Sequence, residues 1–420
     1  MIARLLLSCA AVMVLAATFA ADFSEQEPNN SFPSGPPIGT LQSGDRIVGT
    51  ISPALDVDYL LFRTAGTGQP GWYRFTFRAE GIPSAGDSLM TLYDGITDAF
   101  ILCFNDDFVQ GVDLTSQCGF DMYWDGTDIL WCVLIEGFDS ADVWPYAIRV
   151  TYAPIQVNQG PTITPGQVVF DTSGDGTIAD TVLSLFDAQG NFIAYDDDSG
   201  SGFRAKLTRS LAAGTYYVAV STFETWPPDT GQPRQGLGLG TGDEGTYTLT
   251  VKGIPFTGSI SRGTAAWYKV EVQNPTKQVA GRVLMDHFIG DPRMWPVTFE
   301  LREPGTLNVL ETHVVPLDID GFYSFTTERS GQVDVAAKSA QWLRVVQPLD
   351  LSGTTSGFDW LLPGGDANGD NFVDLMDLNI ALLNFTKEGP YTPGDVDGNS
   401  QVDLPDLNLI LLRWNTRGDD

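Results

Sequence analysis

Short stretches in which apolar and polar residues alternate recur along most of the chain. They occupy residues 87–94, 146–152, 180–187, 213–220, 247–251, 297–302, 309–315 and 332–338. A period of two over about six to eight positions predicts half-buried strands. The turn signal Asp320-Gly321 sits before another such run, 322–325, and predicts a tight turn entering a strand. Helical spacing is confined to the end of the chain. Leu378, Leu382 and Phe385 recur there, as do Leu407, Leu411 and Trp414, and Pro405 sits where a first helical turn tolerates proline. Two short helices are predicted, with these stripes buried against each other.

The strand pattern repeats. Residues 87–94 are followed by Asn105-Asp106-Asp107 and close on strand 146–152. Residues 180–187 are followed by Asp196-Asp197-Asp198 and close on strand 247–251. Each unit has about the size of one β-sandwich, roughly 100 residues. The fold class is therefore mainly β: tandem β-sandwich domains over 22–152, 153–253 and 254–360, then a small all-α module over 361–420.

Composition narrows the function classes. Gly 45 and Pro 25 suit frequent turns and exclude a helical bundle. Lys+Arg 23 against Asp+Glu 53 gives a net charge of -30, which repels phosphate backbones and excludes nucleic acid as a partner. The two histidines, His287 and His313, lie in no zinc or Ser/His/Asp motif. A non-enzymatic protein is expected. Arg4, the apolar run 5–14 and Ala20-Ala21 before Asp22 predict a cleaved secretory signal over 1–21. The mature chain is then secreted, extracellular or at the cell surface, without a transmembrane segment. Export permits disulfides. A Cys103–Cys118 bridge flanking the acidic loop is expected, with Cys132 as a core thiol.

The strongest chemical signal is a duplicated twelve-residue loop. Asp366, Asn368, Asp370, Asp374 and Asp377 occupy positions 1, 3, 5, 9 and 12 of the first loop, with Phe372 at position 7 offering a backbone carbonyl. Asp395, Asp397, Asn399, Asp403 and Asp406 do so in the second, with Gln401 at position 7. Aligned over 366–385 and 395–414, the copies are identical at 10 of 20 positions. Oxygen ligands at this spacing wrap a chain around a hard cation, Ca2+. No entering helix precedes either loop. The segment looks like a dockerin type I module. That resemblance implies two calcium ions and docking onto a cohesin-like extracellular protein, as in polysaccharide-degrading assemblies. Asn371 and Ser400 replace the usual glycine at position 6, so the second loop is expected to be the weaker. Leu375-Met376 and Leu404-Pro405 replace the Ser/Thr usual at positions 10 and 11.

At the other end, Glu25, Glu27-Pro28-Asn29-Asn30-Ser31, Gly49-Thr50-Ile51 and Asp56-x-Asp58-Tyr59 resemble the bacterial pre-peptidase C-terminal domain, a non-catalytic jelly-roll-like sandwich. The resemblance covers about 22–152, and the second unit shares its later features. It implies calcium ligands at Glu25, Glu27, Asn29, Asn30 and Asp58. Leu55 stands where calcium-binding members tend to have another Asp. Residues 254–360 resemble transthyretin-like or immunoglobulin-like spacer domains. The functional expectation is a secreted modular protein attached through calcium to a protein partner. The alternative is a carbohydrate-binding protein or a glycoside hydrolase accessory or enzyme, with polysaccharide as ligand and Trp124, Trp131, Trp144 and Trp226 near loops or strand ends.

Overall fold

The computed structural model describes residues 20–420 except 85, 140 and 229–231. The signal segment expected over 1–21 lies, but for its last two residues, outside the described residues. No helix of the described residues is long and apolar enough to cross a membrane. The chain is mainly β and divides into two compact units, one ending at Gln273 and the other beginning at Asn274.

The first unit holds two sandwiches. In the N-terminal one, a sheet ordered Thr40–Leu41, Val57–Thr64, Ile129–Gly137, Ser88–Tyr93, Ile101–Asn105 faces a second sheet built on Arg46–Ile51, Trp144–Pro154, Gly71–Glu80 and Gln117–Trp124. Alternation places Phe62, Phe75, Phe77, Trp131 and Ile148 inward, where they join one continuous hydrophobic core. In the next sandwich, Val157–Ile163, Ala266–Val272, Gly214–Thr222, Thr181–Asp187 and Phe192–Asp196 form one sheet. Lys206–Leu211, Gly166–Asp171, Gly245–Val251 and Ile254–Ile260 form the other.

Two expectations about boundaries are corrected here. A break at 253/254 would cut a hairpin: Val251 pairs with Ile254 across Lys252 and Gly253, both at positive φ. A two-residue turn of this kind matches strand twist and keeps the chain in the same sheet. Residues 254–272 therefore complete the second sandwich. The two sandwiches are also not independent. Leu237–Leu239 of the second pairs with Gln117–Trp124 of the first, and Trp72, Phe186 and Trp267 share a core between them, with the Trp72 and Trp267 rings 4.1 Å apart.

The second unit is a smaller sandwich followed by the loop–helix pair. Phe322–Thr327, Lys277–Met285 and Trp360–Leu362 face Val309–Val315, Val297–Arg302, Gln332–Lys338 and Val345–Asp350. The turn at Asp320-Gly321 forms as expected, with Gly321 at φ 83°. Trp360–Leu362 is a strand of this sandwich, with Leu362 in its core, so the C-terminal module begins near residue 363 rather than 361.

Candidate metal centres

Helix α1 is Leu375–Asn384 and helix α2 is Leu404–Leu412. Asp374 and Asp403 cap them, and Asp377 and Asp406 reach back in reciprocal capping boxes. The carboxylates at loop positions 9 and 12 thus also start the helices. The stripes predicted to bury do so only in part: Leu378 and Leu407 pack half-buried against the core, whereas Leu382, Phe385, Leu411 and Trp414 are exposed. The core between the copies is Val373, Ala381, Val396, Val402 and Ile410, joined by Leu343 of the sandwich. The signal available was valine at position 8 of both loops.

Both position-6 residues take the left-handed conformation, Asn371 at φ 71° and Ser400 at φ 69°. Ser400 therefore leaves the second loop's path intact. That loop brings Asp395, Asp397 and Asp406 together with oxygens within 4.8 Å of one another, all three buried. Oδ1 of Asp395 and Oδ1 of Asp403 are buried without a hydrogen-bond partner among the described residues. Orphaned buried carboxylate oxygens destabilise a fold unless a cation or proton satisfies them. Burial, with the Asp406 carboxylate adding to it, pushes Asp395 up to about 6. Burial likewise raises Asp406 to about 6 and raises Asp397. Asn399 is exposed and bonds to Asp397. The donor set is all oxygen, which fits calcium.

The first loop differs. Asp366, fully buried, receives the Lys338 ammonium at 2.7 Å and the Asn371 amide at 3.0 Å. A lysine from the sandwich thus occupies the charge position a cation would take. Asn368 and Asp370 are exposed and bonded to each other, and Asp377 accepts the Asn368 and Asp374 amides. The backbones at Phe372 and Gln401 are held in isolated bridges with Arg417 and Glu388. The sandwich grips the second loop too: buried Gln341 donates to the Asp395 carbonyl and accepts from the Gly394 amide.

At the N-terminus, Glu25, Glu27 and Asp58 converge with oxygens within 4.8 Å. Asp58 is fully buried, and neither of its carboxylate oxygens has a well-formed hydrogen bond among the described residues. The side chain of Asn29, also buried, is likewise without a hydrogen-bond partner among the described residues. Tyr146 donates to Glu25 Oε2 at 2.7 Å, and the Thr50 amide donates to Oε1 at 2.8 Å. Burial first, then the Glu25 charge, pushes Asp58 up to about 8, against the lowering influence of the Tyr146 hydroxyl. These residues fit a cation. Asn30 does not join them; it donates to Asp56. Leu55 takes φ 71° and is 75% exposed, a conformation better suited to Asn or Asp.

Two further acidic groups were not singled out as ligands from sequence. Asp87, Asp106 and Asp107 converge in the first sandwich, and Asp180, Asp197 and Asp198 in the second. They occupy matching places in the repeat, an Asp before one strand and an acidic pair after the next. The repeat was the signal.

Cys103 and Cys118 are brought together, yet each is a free buried thiol, as is Cys132. The expected bridge is therefore absent among the described residues. The Cys103 thiol donates to the Leu239 carbonyl at 3.3 Å, and burial raises Cys118 well above its ordinary value. Both sit in the packed core, which accommodates the reduced pair. Of the four tryptophans considered for ligand binding, Trp124, Trp131 and Trp144 are buried and Trp226 is 40% exposed.

No family model matches the chain, and no curated protein matches it. Among solved structures, an N-terminal interface mutant of a type II Cohesin-X-Dockerin complex from Acetivibrio cellulolyticus aligns at 16% identity and TM-score 0.28. The alignment spans 34% of this chain and 97% of that one. The Bacillus anthracis TIE protein aligns at 7% identity and TM-score 0.18, over 76% and 75%. The pilus backbone RrgB of Streptococcus pneumoniae aligns at 9% and TM-score 0.15, over 81% and 98%.

Proposed function

We propose that this chain is a secreted, non-catalytic modular protein that attaches to an extracellular protein partner through a calcium-loaded, dockerin-like C-terminal pair of loops. The sandwiches act as binding or spacer modules, and the setting is extracellular polysaccharide degradation. One observation carries the reading. The duplicated helices expose matching apolar residues: Leu375 and Leu404, Leu382 and Leu411, and Leu383 and Leu412 are all more than half exposed. Isolated exposed leucines are ordinary, whereas a duplicated apolar set on two paired helices has the character of an interface. Calcium would be held by Asp395, Asp397 and Asp406 in the second loop, with Asp403 beside them. It would order the loop from which α2 starts.

The test uses the full chain immobilised with calcium and probed with a purified cohesin-type sandwich. Retention that chelator reverses, and that Leu382→Asp with Leu411→Asp abolishes, supports the reading. Binding that ignores both chelator and the substitutions sinks it.

A further inference from the structure

In the first unit, a cleft of about 560 Å³ opens where the two sandwiches meet. That lies within the roughly 300–1,000 Å³ usual for small-ligand sites. Its lining includes three aromatic side chains that escape the core: Phe104, 38% exposed, Phe223, 61%, and Trp226, 40%. Phe138, Tyr195 and Phe203 are also exposed in this unit, but they lie outside this lining. The turn carrying Phe223 and Trp226 is strained, with Glu224 at φ 70°, and strained non-glycine residues are retained where surrounding structure holds them for a purpose.

The surroundings do hold it. The Glu224 carboxylate accepts the Thr241 amide at 3.1 Å, and its carbonyl accepts the Gly240 amide at 2.8 Å. Thr241 donates to the Asp107 carbonyl at 2.7 Å and accepts from buried Asn105 at 2.9 Å, which ties the turn to the first sandwich. The wall is therefore prebuilt from both sandwiches.

Its charge selects among ligands. Asp106, Asp107, Asp180, Glu224 and Asp243 line the cleft, and among the described residues the one cation in the lining is Arg262. Arg262 already donates to the Thr241 carbonyl at 2.8 Å and to the Gly242 carbonyl. Oδ1 of Asp106, of Asp107 and of Asp180 is a buried acceptor without a partner among the described residues. The cleft thus offers aromatic faces and a ring of carboxylates, and it repels anions.

We infer that this cleft binds a saccharide whose units are uncharged or carry amines, in preference to acidic sugars. Pyranose C–H faces would lie on Trp226 and Phe223, and sugar hydroxyls or ammonium groups would donate to the carboxylates. The site is separate from the C-terminal loops and independent of the attachment reading.

The test is calorimetric titration of the full chain with three probes: a neutral glucan oligomer, a glucosamine oligomer and a galacturonate oligomer. The expected result is saturable binding of the neutral or amino oligomer and none of the uronate. Trp226→Ala and Phe223→Ala, both exposed and checked for folding by circular dichroism, should each weaken binding at least tenfold. Absence of binding by all three probes, equal binding of the uronate, or unchanged affinity in both folded variants would overturn the inference.

Discussion

Asp366 and Asp395 stand at the same position of two loops related by a 29-residue duplication, yet their surroundings differ. Each keeps one buried oxygen without a partner among the described residues, but the Lys338 ammonium pairs with Oδ2 of Asp366, whereas Oδ2 of Asp395 accepts the Ser400 amide. A cation entering the first loop must displace that ammonium. Lys338→Gln is therefore expected to tighten calcium binding at the first loop by about tenfold, roughly 1.4 kcal/mol, with the second loop unchanged. Two-site calorimetric titration checks this. At the other end of the chain, Asp58 carries a pH signature. Its pKa rises from 3.8 to about 8 on folding, so the folded state binds the extra proton. In chelator, the first unit should be most stable below about pH 4 with respect to this group, and should lose that contribution as pH rises toward 8. Asp58→Asn should flatten the slope, and calcium should flatten it in the unmodified chain by replacing the proton. Thermal melts from pH 4 to 9, with and without calcium, decide it.

At the scale of elements, the join between the two N-terminal sandwiches rests on a few side chains. Trp72 packs on Trp267 and Phe186, and buried Asp121 holds Arg74 through both oxygens while accepting the Trp267 indole N–H at 2.7 Å. Trp72→Ala should cost about 3–5 kcal/mol and split the unit's melting into two steps, read by calorimetry. Arg234 provides a second clamp. It donates to the Asp94 and Leu130 carbonyls at 3.0 Å each and lies over the Trp131 ring. Burial lowers it to about 10, so it remains charged at neutral pH. Arg234→Met should destabilise the same unit by about 2–3 kcal/mol by removing two charge-assisted bonds, seen as a lower urea midpoint. Neither clamp was legible in the sequence. A tryptophan in an alternating strand gives no sign of whether its inward partner lies in its own sandwich or the next.

For the whole molecule, the three expected sandwiches and helical tail resolve into two compact units. Calorimetry of the unmodified chain should show two transitions rather than four, and limited proteolysis should cut first near Gln273–Asn274. The loop–helix pair should melt with the preceding sandwich, since Leu343, Gln341 and Lys338 supply its core contact, loop anchors and counter-charge. Four transitions, or separate release of the tail, would contradict this.

Local pattern sufficed for what is local. Alternation marked nine of the described strands, Asp320-Gly321 defined a turn, and the duplicated oxygen spacing defined two loops whose position-6 residues adopt the expected left-handed turn. These features depend on neighbours a few residues away. Burial, pairing and charge compensation depend on residues far apart in the chain. Only the tertiary structure decided that Ile254–Ile260 returns to the second sandwich and that Cys103 and Cys118 remain separate thiols. It also decided that Lys338 answers Asp366, that Leu382 and Leu411 face outward, and that Asp58 lies beside Glu25 and Glu27. The physical reason is that period and spacing dictate which side of an element a residue takes, whereas what covers that side is set by long-range packing that no short window of sequence contains.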